Sequence, residues 1–406
     1  MKDGVIIIGG GELTLPAYHI ARNDLGLEIV AFDFSPSAPG MRYADEAVVV
    51  STKDIAGAVV AARAVSEKRK IRGVFTVGAD VEVTVAAVAE ALGLPGVSVE
   101  VARYCNDKRL THQRLDLVGF IDKPRYALVF GPEDLRAATE LTGFPCVVKP
   151  VDNCASRGVQ RVDRPEDLAA AYRLAIGFNL DESAGVLVEE CLLGTKHTVE
   201  MVVYKNRWHL LSIIDTHYIS PRWPCETGLN TTELDLDDQA HLYAFATHVA
   251  RAIGIDLGAH KVDVNRDECG NIKLIEITAR LSGGFHCQCA SPLAFGSNDI
   301  RAALKLAIGL PLDLEDIRHR HERGAAVRAV FPEPGRITGI TGVADALDLP
   351  GVHQIFIWKQ PGDMVGPYLN SADRCAFVIA DGETTREAIA NAERGVARVR
   401  IETVRA

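Results

Sequence analysis

The chain has 406 residues, of which 48% are hydrophobic and 24% charged, and its formal net charge is −10. This composition is ordinary for a globular protein, and the acidic balance excludes binding to nucleic acid or to an anionic membrane surface through charge alone. No apolar run reaches the roughly 18–20 residues of a membrane span, and nine cysteines without a tight framework favour a reducing compartment. We therefore expect a cytoplasmic protein with neither a nucleic-acid nor a membrane partner.

The first 105 residues alternate between short apolar strands and helical stretches, which predicts an α/β unit with a parallel sheet. The first strand, residues 5–8, is followed by Gly9, Gly10 and Gly11, and the second strand ends at Asp33. This order imitates a dinucleotide-binding fingerprint, although Thr14 stands where the third glycine belongs. An NAD-dependent dehydrogenase therefore remains an alternative at this point.

A second unit begins near residue 106, where Asp107 is placed to cap a helix that starts at Lys108. A strand then ends on Lys149 and leads into a loop of small and polar residues at positions 151–159. Free backbone N–H groups in such a loop could surround a phosphate, although the loop lacks the Gly-Lys-Ser/Thr of a Walker motif. A further strand, residues 186–188, runs into the sequence Glu189-Glu190-Cys191-Leu192.

The next segment predicts an antiparallel pair, residues 198–204 and 208–214, followed by a helix at residues 237–253. Residues 216–232 lack periodicity, and an irregular segment inside a regular domain is often a substrate loop. We expect His217, Trp223 and Glu226 from this segment to reach the substrate.

Two short apolar strands, residues 259–264 and 272–277, flank a polar turn and predict a hairpin. The hairpin register can bring Asp263 and Glu276 to one face, where adjacent buried carboxylates repel unless a cation lies between them. Carboxylates together with phosphate oxygens are how proteins hold Mg²⁺. Arg280 and the Gly283-Gly284 turn follow directly and add a fixed positive charge and exposed N–H groups.

Beyond this hairpin, His286, Cys287 and Cys289 invite comparison with a zinc site, but a closed zinc site needs four ligands and packed thiols are favoured. A last α/β unit starts near residue 325 and includes strands at residues 353–358 and 376–380.

Taken in order, the lysine at a helix start, the strand lysine, the small-residue loop, the acid pair and the carboxylate hairpin with arginine resemble the ATP-grasp superfamily. The likeness covers roughly residues 105–310. Within the superfamily, the ending at residues 280–284, the loop at 223–227 and the stretches 332–335 and 359–363 resemble the L-amino-acid ligases, which are carboxylate–amine ligases. The resemblance implies an α/β fold whose ATP-grasp part is α+β, divided into an N-terminal parallel-sheet domain (1–105), an ATP-grasp domain of two subdomains (106–315, with a lid at about 126–194) and a C-terminal α/β unit (316–406).

The resemblance also implies roles for individual residues. The nucleotide phosphates would be contacted by two lysines and by a flexible lid: Lys108, Lys149, Ser156, Arg157, Gly158 and Val159. The adenine hinge would be Glu189, Glu190, Cys191 and Leu192. The position that usually holds a ribose-binding acid falls on Lys196, where His197 would share or replace that contact. Mg²⁺, or alternatively Mn²⁺, would be bound by Asp263 and Glu276, with Thr278 in the place of an asparagine that often serves a second metal.

The activity that the resemblance implies is ATP-dependent amide formation between a small carboxylate and an amine, through an acyl phosphate. Lys149 and Arg280 would stabilise the transferring phosphoryl group, while Arg280, Gly283 and Gly284 would hold the oxygen that develops at the acyl carbon. The alternatives are another ATP-grasp reaction, such as carboxylation or phosphorylation of a small molecule, the dehydrogenase, and a regulatory nucleotide-binding module without turnover. The sequence leaves open whether the chain is a monomer or a homodimer.

Overall fold

The computed structural model describes residues 2–220 and 224–405, so the predicted substrate residue Trp223 lies outside the described residues. Helices and strands alternate through a mixed α/β fold built on four sheets, in agreement with the predicted fold class. No helix within the described ranges is long and apolar enough to cross a membrane.

The N-terminal unit is a parallel sheet with strand order β3-β2-β1-β4, as its alternating sequence predicts. Its elements are β1 (Asp3–Ile8), α1 (Leu15–His19), β2 (Glu28–Asp33), β3 (Glu46–Val49), α2 (Ile55–Ser66), β4 (Lys70–Phe75) and α3 (Glu82–Ala91). Apolar residues of β1 and β2 alternate between two cores, one on each face of the sheet. Both faces are therefore covered, as a parallel sheet requires.

The glycine turn after β1 is closed by the protein itself. Oδ2 of Asp33 accepts a hydrogen bond from the N–H of Gly10 at 2.7 Å, and the N–H of Gly40 donates to the Gly10 carbonyl at 2.7 Å. A Cβ added to Gly10 would lie 3.0 Å from the Cβ of Ala38. The acid and the glycines of the apparent fingerprint thus bind one another, which argues against the dehydrogenase alternative.

Two helices, α4 (Val99–Asn106) and α5 (Lys108–Leu117), connect this unit to a four-stranded antiparallel sheet of order β5-β8-β6-β7. The Asp107 side chain accepts hydrogen bonds from the N–H groups of Arg109 and Leu110, which confirms the predicted helix cap. The elements of this second sheet, with their helices, are β5 (Tyr126–Val129), α6 (Leu135–Thr142), β6 (Cys146–Pro150), β7 (Gln160–Val162), α7 (Leu168–Ile176) and β8 (Val186–Glu190).

An eight-stranded sheet of order β13-β12-β9-β10-β11-β14-β18-β16 forms the centre of the molecule. The first part of the chain that builds it comprises β9 (Thr195–Tyr204), β10 (Arg207–Tyr218), β11 (Glu226–Thr231), α8 (Leu236–Ile253), β12 (Gly258–Arg266), β13 (Ile272–Thr278), α9 (Ser291–Phe295) and α10 (Asp299–Ala307). The last part of the chain comprises β14 (Gly324–Val330), β15 (Gly335–Thr341), α11 (Val343–Leu347), β16 (Val352–Ile357), β17 (Met364–Val365), β18 (Ala376–Gly382), α12 (Thr385–Arg398) and β19 (Arg400–Val404). Because β14 pairs with β11, the C-terminal unit continues the central sheet.

The prediction that residues 216–232 form an irregular segment is wrong for most of their length. β10 continues to Tyr218, and Glu226–Thr231 is a strand that pairs antiparallel with it. The pairing of β11 with β14, about a hundred residues away in the chain, supplies a sheet neighbour that local periodicity cannot reveal.

Along β9, β12 and β13, the two faces of the central sheet differ in character. One face carries Val199, Met201, Val262 and Ile277, which pack in a core with the apolar side of α8. The other face carries polar and charged side chains from β9, β12 and β13. Since successive strand residues point to opposite faces, the polar side chains of these strands lie on one face while the other face packs in the apolar core.

His260 on β12 is fully buried, and burial lowers its pKa from 6.5 to about 4. Between these values the unfolded chain binds the proton and the folded protein does not, so the free energy of unfolding should fall as the pH drops from 6.5 to 4. At 1.36 kcal/mol per pKa unit, His260 should lower the free energy of unfolding by about 3 kcal/mol over this pH range, and we expect this loss to be absent in His260→Leu. Urea unfolding between pH 4 and 7 measures it. The exposed His241→Gln is the matched control, and a slope identical in His260→Leu and the wild type would contradict the assignment.

Candidate active site

The polar face of the central sheet aligns side chains from three neighbouring strands. Asp263 lies opposite Glu276 across the β12–β13 pair and opposite Thr198 across the β12–β9 pair. Lys261, two residues before Asp263, lies opposite Thr278 and Glu200 in the same two pairs. The predicted hairpin register is therefore confirmed, and both carboxylates project from one face.

Lysines surround these two carboxylates. Nζ of Lys261 lies 2.9 Å from Oδ2 of Asp263 and 3.0 Å from Oε1 of Glu276. Nζ of Lys196 lies 2.8 Å from Oδ2 of Asp263, and Nζ of Lys108 lies 3.8 Å from Oε2 of Glu276. Burial alone would raise the pKa of both acids, but the ammonium groups hold the pKa of Glu276 well below its usual range and that of Asp263 below its usual value. Both acids are therefore ionised at neutral pH.

This donor set fits a divalent cation that also takes phosphate oxygens. Asp263 and Glu276 supply hard oxygen donors on one face, and the buried Thr278 hydroxyl beside them has no hydrogen-bond partner among the described residues. Across residues 2–220 and 224–405, no group of three or more His, Cys, Asp and Glu side chains is arranged to hold a metal alone. A metal here would thus need further oxygen donors besides these two carboxylates.

Lys149 and Glu189 form a buried ion pair in the second sheet. Nζ of Lys149 lies 2.6 Å from Oε2 of Glu189, while Oε1 of Glu189 lies 2.7 Å from Nε2 of His112 on α5. Glu189 lies opposite Val147, two residues before Lys149, so both side chains leave the same face of the sheet. Burial opposes ionisation of Glu189, but Lys149 and His112 lower its pKa to about 2. The side chain of Glu189 is thus held by Lys149 and His112, and its backbone lies within the sheet, between Tyr126 of β5 and Val147 of β6.

The remaining predicted hinge residues lie at the end of β8. Glu190 pairs with Lys273 at 3.1 Å and with Arg125 at 3.3 Å, and the N–H of Cys191 donates to the Pro145 carbonyl. Leu192 follows directly and is partly buried.

The predicted phosphate loop follows Lys149 and has an unusual backbone. Ala155 and Ser156 have φ of 55° and 58°, and Gly158 has φ of 72°. Such left-handed conformations are costly for residues with a side chain and cluster at ligand-binding segments. Nη1 of Arg157 lies 3.2 Å from Sγ of Cys154, and Val159 closes the loop with a hydrogen bond to the Ser156 carbonyl.

The position of His197 does not support its assignment as a nucleotide ligand. Nδ1 of His197 lies 2.7 Å from Oδ1 of Asp215, and its Nε2 lies 2.7 Å from Oγ1 of Thr195. His197 pairs with Val264, so it leaves the sheet on the apolar face, whereas Lys196 leaves on the face of Asp263. Lys196 alone of the two reaches the carboxylate hairpin.

Arg280 joins the central sheet to the N-terminal unit. Its Nη2 pairs with Oδ1 of Asp80, and its Nε lies 3.1 Å from Oε1 of Glu82 at the start of α3. Burial raises the pKa of Glu82 to about 7, whereas Arg280 lowers that of Asp80 against the effect of its own burial. The two acids in turn raise the pKa of Arg280, which stays charged at every accessible pH.

The predicted glycines after Arg280 pack closely against neighbouring chain segments. A Cβ on Gly283 would lie 3.5 Å from the Gly78 carbonyl oxygen, and a Cβ on Gly284, whose φ is +65°, would lie 3.6 Å from Oε1 of Glu226. Glu226 therefore lies beside this segment and also pairs with Arg374 at 3.5 Å, and its role as a substrate residue stays a prediction. His217 is exposed on β10 and its Nε2 lies 2.7 Å from Oδ1 of Asn230.

A fully buried cluster of Glu200, His286 and Ser212 contacts the segment that follows Arg280. Oε1 of Glu200 accepts a hydrogen bond from the N–H of Ser282, and Oε2 of Glu200 lies 3.2 Å from Nδ1 of His286, whose Nε2 lies 2.8 Å from Oγ of Ser212. Burial raises the pKa of Glu200 to about 7 and lowers that of His286 to about 4. Because all three side chains are buried, the Ser–His–Glu order is suited to holding the chain after Arg280 and not to attacking a substrate.

A cleft with a volume of about 250 Å³ opens between the N-terminal unit and the hairpin. Its walls bring together Glu276 and Thr278 from β13, Lys108 from α5, and the acids Asp80 and Glu82. The loop residues 152–154 and Lys53 close two further sides. The cleft thus lies between the hairpin that carries Glu276 and a second surface that carries Asp80 and Glu82.

Sequence reasoning missed several of these residues, and only some carried a signal. Lys261 stands two residues before Asp263 in a predicted strand, so the two-residue period could have placed it beside the acids. Asp80 and Glu82 follow the last strand of a parallel sheet, whose carboxyl ends commonly line ligand crevices. His112 and Glu200 carried no such local signal.

Three protein-family models match the chain. The ATP-grasp N-terminal domain matches residues 18–96, the ATP-grasp domain matches residues 142–289, and the L-amino acid ligase C-terminal domain 2 matches residues 328–404. The matches cover the N-terminal unit, most of the predicted site and the C-terminal unit.

The chain is also similar to individual proteins. An uncharacterized protein of Sinorhizobium fredii is 27% identical over 76% of this chain and 64% of its own length, and a D-alanine–D-alanine ligase of Pseudomonas entomophila is 29% identical over 46% of this chain and 59% of its own. The chain thus spans about 60% of the length of these curated relatives. The crystal structure of the L-amino acid ligase from Bacillus licheniformis superposes with a TM-score of 0.84 at 22% identity, covering 100% of this chain and 99% of that one. The protein therefore belongs to the ATP-grasp superfamily and carries the C-terminal domain of the L-amino acid ligases.

Proposed function

We propose that the protein is an ATP-dependent carboxylate–amine ligase that joins two small, amino-acid-like substrates through an amide bond. A substrate carboxylate oxygen attacks the γ-phosphorus of ATP, the bond to ADP breaks, and an acyl phosphate forms. The nitrogen of the second substrate then attacks the acyl carbon, phosphate leaves, and the nitrogen loses a proton. Activation is required because direct condensation of a carboxylate with an amine in water is unfavourable.

The charged residues of the site would bind the nucleotide phosphates and Mg²⁺. Lys108 and Lys196 place ammonium groups beside Glu276 and Asp263, and Lys149 places one in the sheet that leads to the phosphate loop. All three lysines are therefore suited to phosphate oxygens. Asp263 and Glu276, with the Thr278 hydroxyl, would hold Mg²⁺, which when bound neutralises charge on the terminal phosphates. Such preorganised charges stabilise the transition state without covalent catalysis by the protein.

Arg280 and its two acidic partners supply the substrate end. Nε, Nη1 and Nη2 of Arg280 already face Glu82, the Leu281 carbonyl and Asp80, so the second N–H groups of Nη1 and Nη2 are the donors left for a carboxylate or for the oxygen of a tetrahedral intermediate. Glu82, whose pKa is raised to about 7 by burial, is suited to accept the proton that the attacking amine releases near neutral pH.

One observation carries the choice of ligation over carboxylation or phosphorylation. Asp80 and Glu82 line the same cleft as Glu276 and Lys108, and the cleft has a volume of about 250 Å³. A pair of carboxylates thus shares the cleft with the residues proposed to bind the terminal phosphates. Arg280 balances one of these two carboxylates, so when both are ionised the group keeps one negative charge that suits the ammonium group of a free amino acid.

The test is phosphate release from ATP with amino acids offered singly and in pairs, with mass detection of products. We expect one or more pairs to raise phosphate release at least tenfold over either acid alone and to yield a product whose mass is that of the pair less one water. If no amine raises phosphate release above that of a carboxylate alone, the ligase proposal fails. A phosphorylated or carboxylated product would instead establish one of the other ATP-grasp reactions.

A further inference from the structure

Lys261 occupies the position between the two carboxylates of the proposed metal site. Its ammonium nitrogen lies 2.9 Å from Asp263 and 3.0 Å from Glu276, distances that make it a shared counter-ion of both. The side chain is 11% exposed and projects from β12 next to Asp263, with Glu200 opposite it on β9. Its place is therefore set by strand register.

The oxygens of the two acids are unequally available. Oδ1 of Asp263 accepts a hydrogen bond from Thr198 at 2.7 Å, and Oδ2 of Asp263 is shared by Lys196 and Lys261. Oε1 of Glu276 faces Lys261, whereas Oε2 has only the more distant Lys108, at 3.8 Å. Glu276 thus keeps Oε2 open to a cation, and Asp263 keeps the second lone pair of Oδ1, because both of its lysines bind Oδ2.

The charge of the site and its number of oxygen donors both disfavour a second divalent ion. Lys108, Lys196 and Lys261 already exceed the charge of Asp263 and Glu276 by one, so a second divalent ion would meet a positive site. Mg²⁺ demands near-octahedral oxygen ligation, and the additional side-chain oxygen beside Glu276 is the neutral hydroxyl of Thr278. A first ion gains from phosphate oxygens, whereas a second would have to expel Lys261 from both acids.

We propose that Lys261 supplies the second positive charge of the phosphoryl-transfer site, so that the protein binds one divalent ion per nucleotide instead of two. The inference rests on the proposed function in that it takes a Mg²⁺-bound nucleotide to bind at Asp263 and Glu276. In the nucleotide complex the Lys261 ammonium stays at the carboxylates and faces the terminal phosphates in the place of a metal.

The test counts metal ions and needs no turnover. Mn²⁺ is titrated into the full chain with saturating adenylyl imidodiphosphate, free Mn²⁺ is read by electron paramagnetic resonance, and bound nucleotide is measured in parallel by equilibrium dialysis. We expect one Mn²⁺ per bound nucleotide in the wild type and in Lys261→Arg. Lys261→Gln should bind a second Mn²⁺ at least about tenfold more tightly than the wild type, because a repelling charge at a partly buried site has been removed.

Lys305→Gln is the matched control, because Lys305 forms a comparable pair with Asp316 at 2.7 Å but lies outside the site, and it should keep a count of one. Two Mn²⁺ per nucleotide in the wild type, or a count that stays at one in Lys261→Gln while its nucleotide binding is retained, overturns the inference and leaves the ligase proposal standing. A count of one in the wild type together with no amine-dependent turnover supports the inference about Lys261 and overturns the ligase proposal. Loss of all nucleotide binding by the wild type overturns both.

Discussion

Replacing Arg280 by methionine should lower amine-dependent phosphate release by about 10²–10³-fold or more, the cost of removing one preorganised donor from a developing oxyanion. The substitution should also destabilise the protein. Arg280 is the buried counter-ion of both Asp80 and Glu82, and removing one member of a buried pair typically costs about 3–5 kcal/mol. Steady-state rates and urea unfolding at one pH measure the two effects separately.

A compensated variant measures the structural role alone. In Asp80→Asn/Glu82→Gln/Arg280→Met the buried charges are removed together, so most of the lost stability should return, whereas its turnover does not report on Arg280 because the proposed base Glu82 is removed as well. Arg280→Lys keeps the charge but loses the fork of donors, and we expect it to fold well and to work poorly. A wild-type rate in Arg280→Met would refute the assignment of Arg280 to the reacting group.

The parts of the site that the sequence predicts are those built from neighbouring residues. Asp263 and Glu276 are 13 residues apart on one hairpin, and the two-residue period of strands with a polar turn suffices to bring them together. The Asp107 cap and the strand that ends at Lys149 follow from equally local patterns. In each case the interacting groups lie within one supersecondary unit.

The parts that sequence reasoning did not predict depend on contacts between distant segments. Arg280 meets Asp80 across 200 residues of chain, and no spacing rule connects a strand end in the first unit to a turn in the second. The sequence predicts Glu189 as a hinge residue, but its carboxylate binds Lys149 and His112. His112 lies 77 residues from Glu189 in the chain. Electrostatic pairing in the buried interior sets these partners, because a charge taken out of water requires an opposite charge wherever the fold brings one.

Lys149→Met should raise the Kd for Mg·ATP by about 10–100-fold, the size expected for loss of a hydrogen bond between an ammonium group and a phosphate. The structure gives the lysine a second task, because its ammonium also neutralises the buried carboxylate of Glu189 at 2.6 Å. A weaker affinity could thus follow from loss of the phosphate contact or from an unpaired acid that moves the hinge. Calorimetric titration of nucleotide into single and double variants tells the two apart.

In Lys149→Met/Glu189→Gln the unpaired charge is absent, so a phosphate role predicts that the affinity stays low, whereas a purely structural role predicts that it returns. Lys149→Arg should recover part of the affinity, since it restores a cation with a different shape. Lys70→Met removes an exposed pair with Asp3 in the N-terminal sheet and should leave the Kd unchanged. Recovery of full affinity in the double variant would reassign Lys149 from phosphate binding to support of the hinge, and the phosphates would then depend on Lys108, Lys196 and the loop of Ser156 to Gly158.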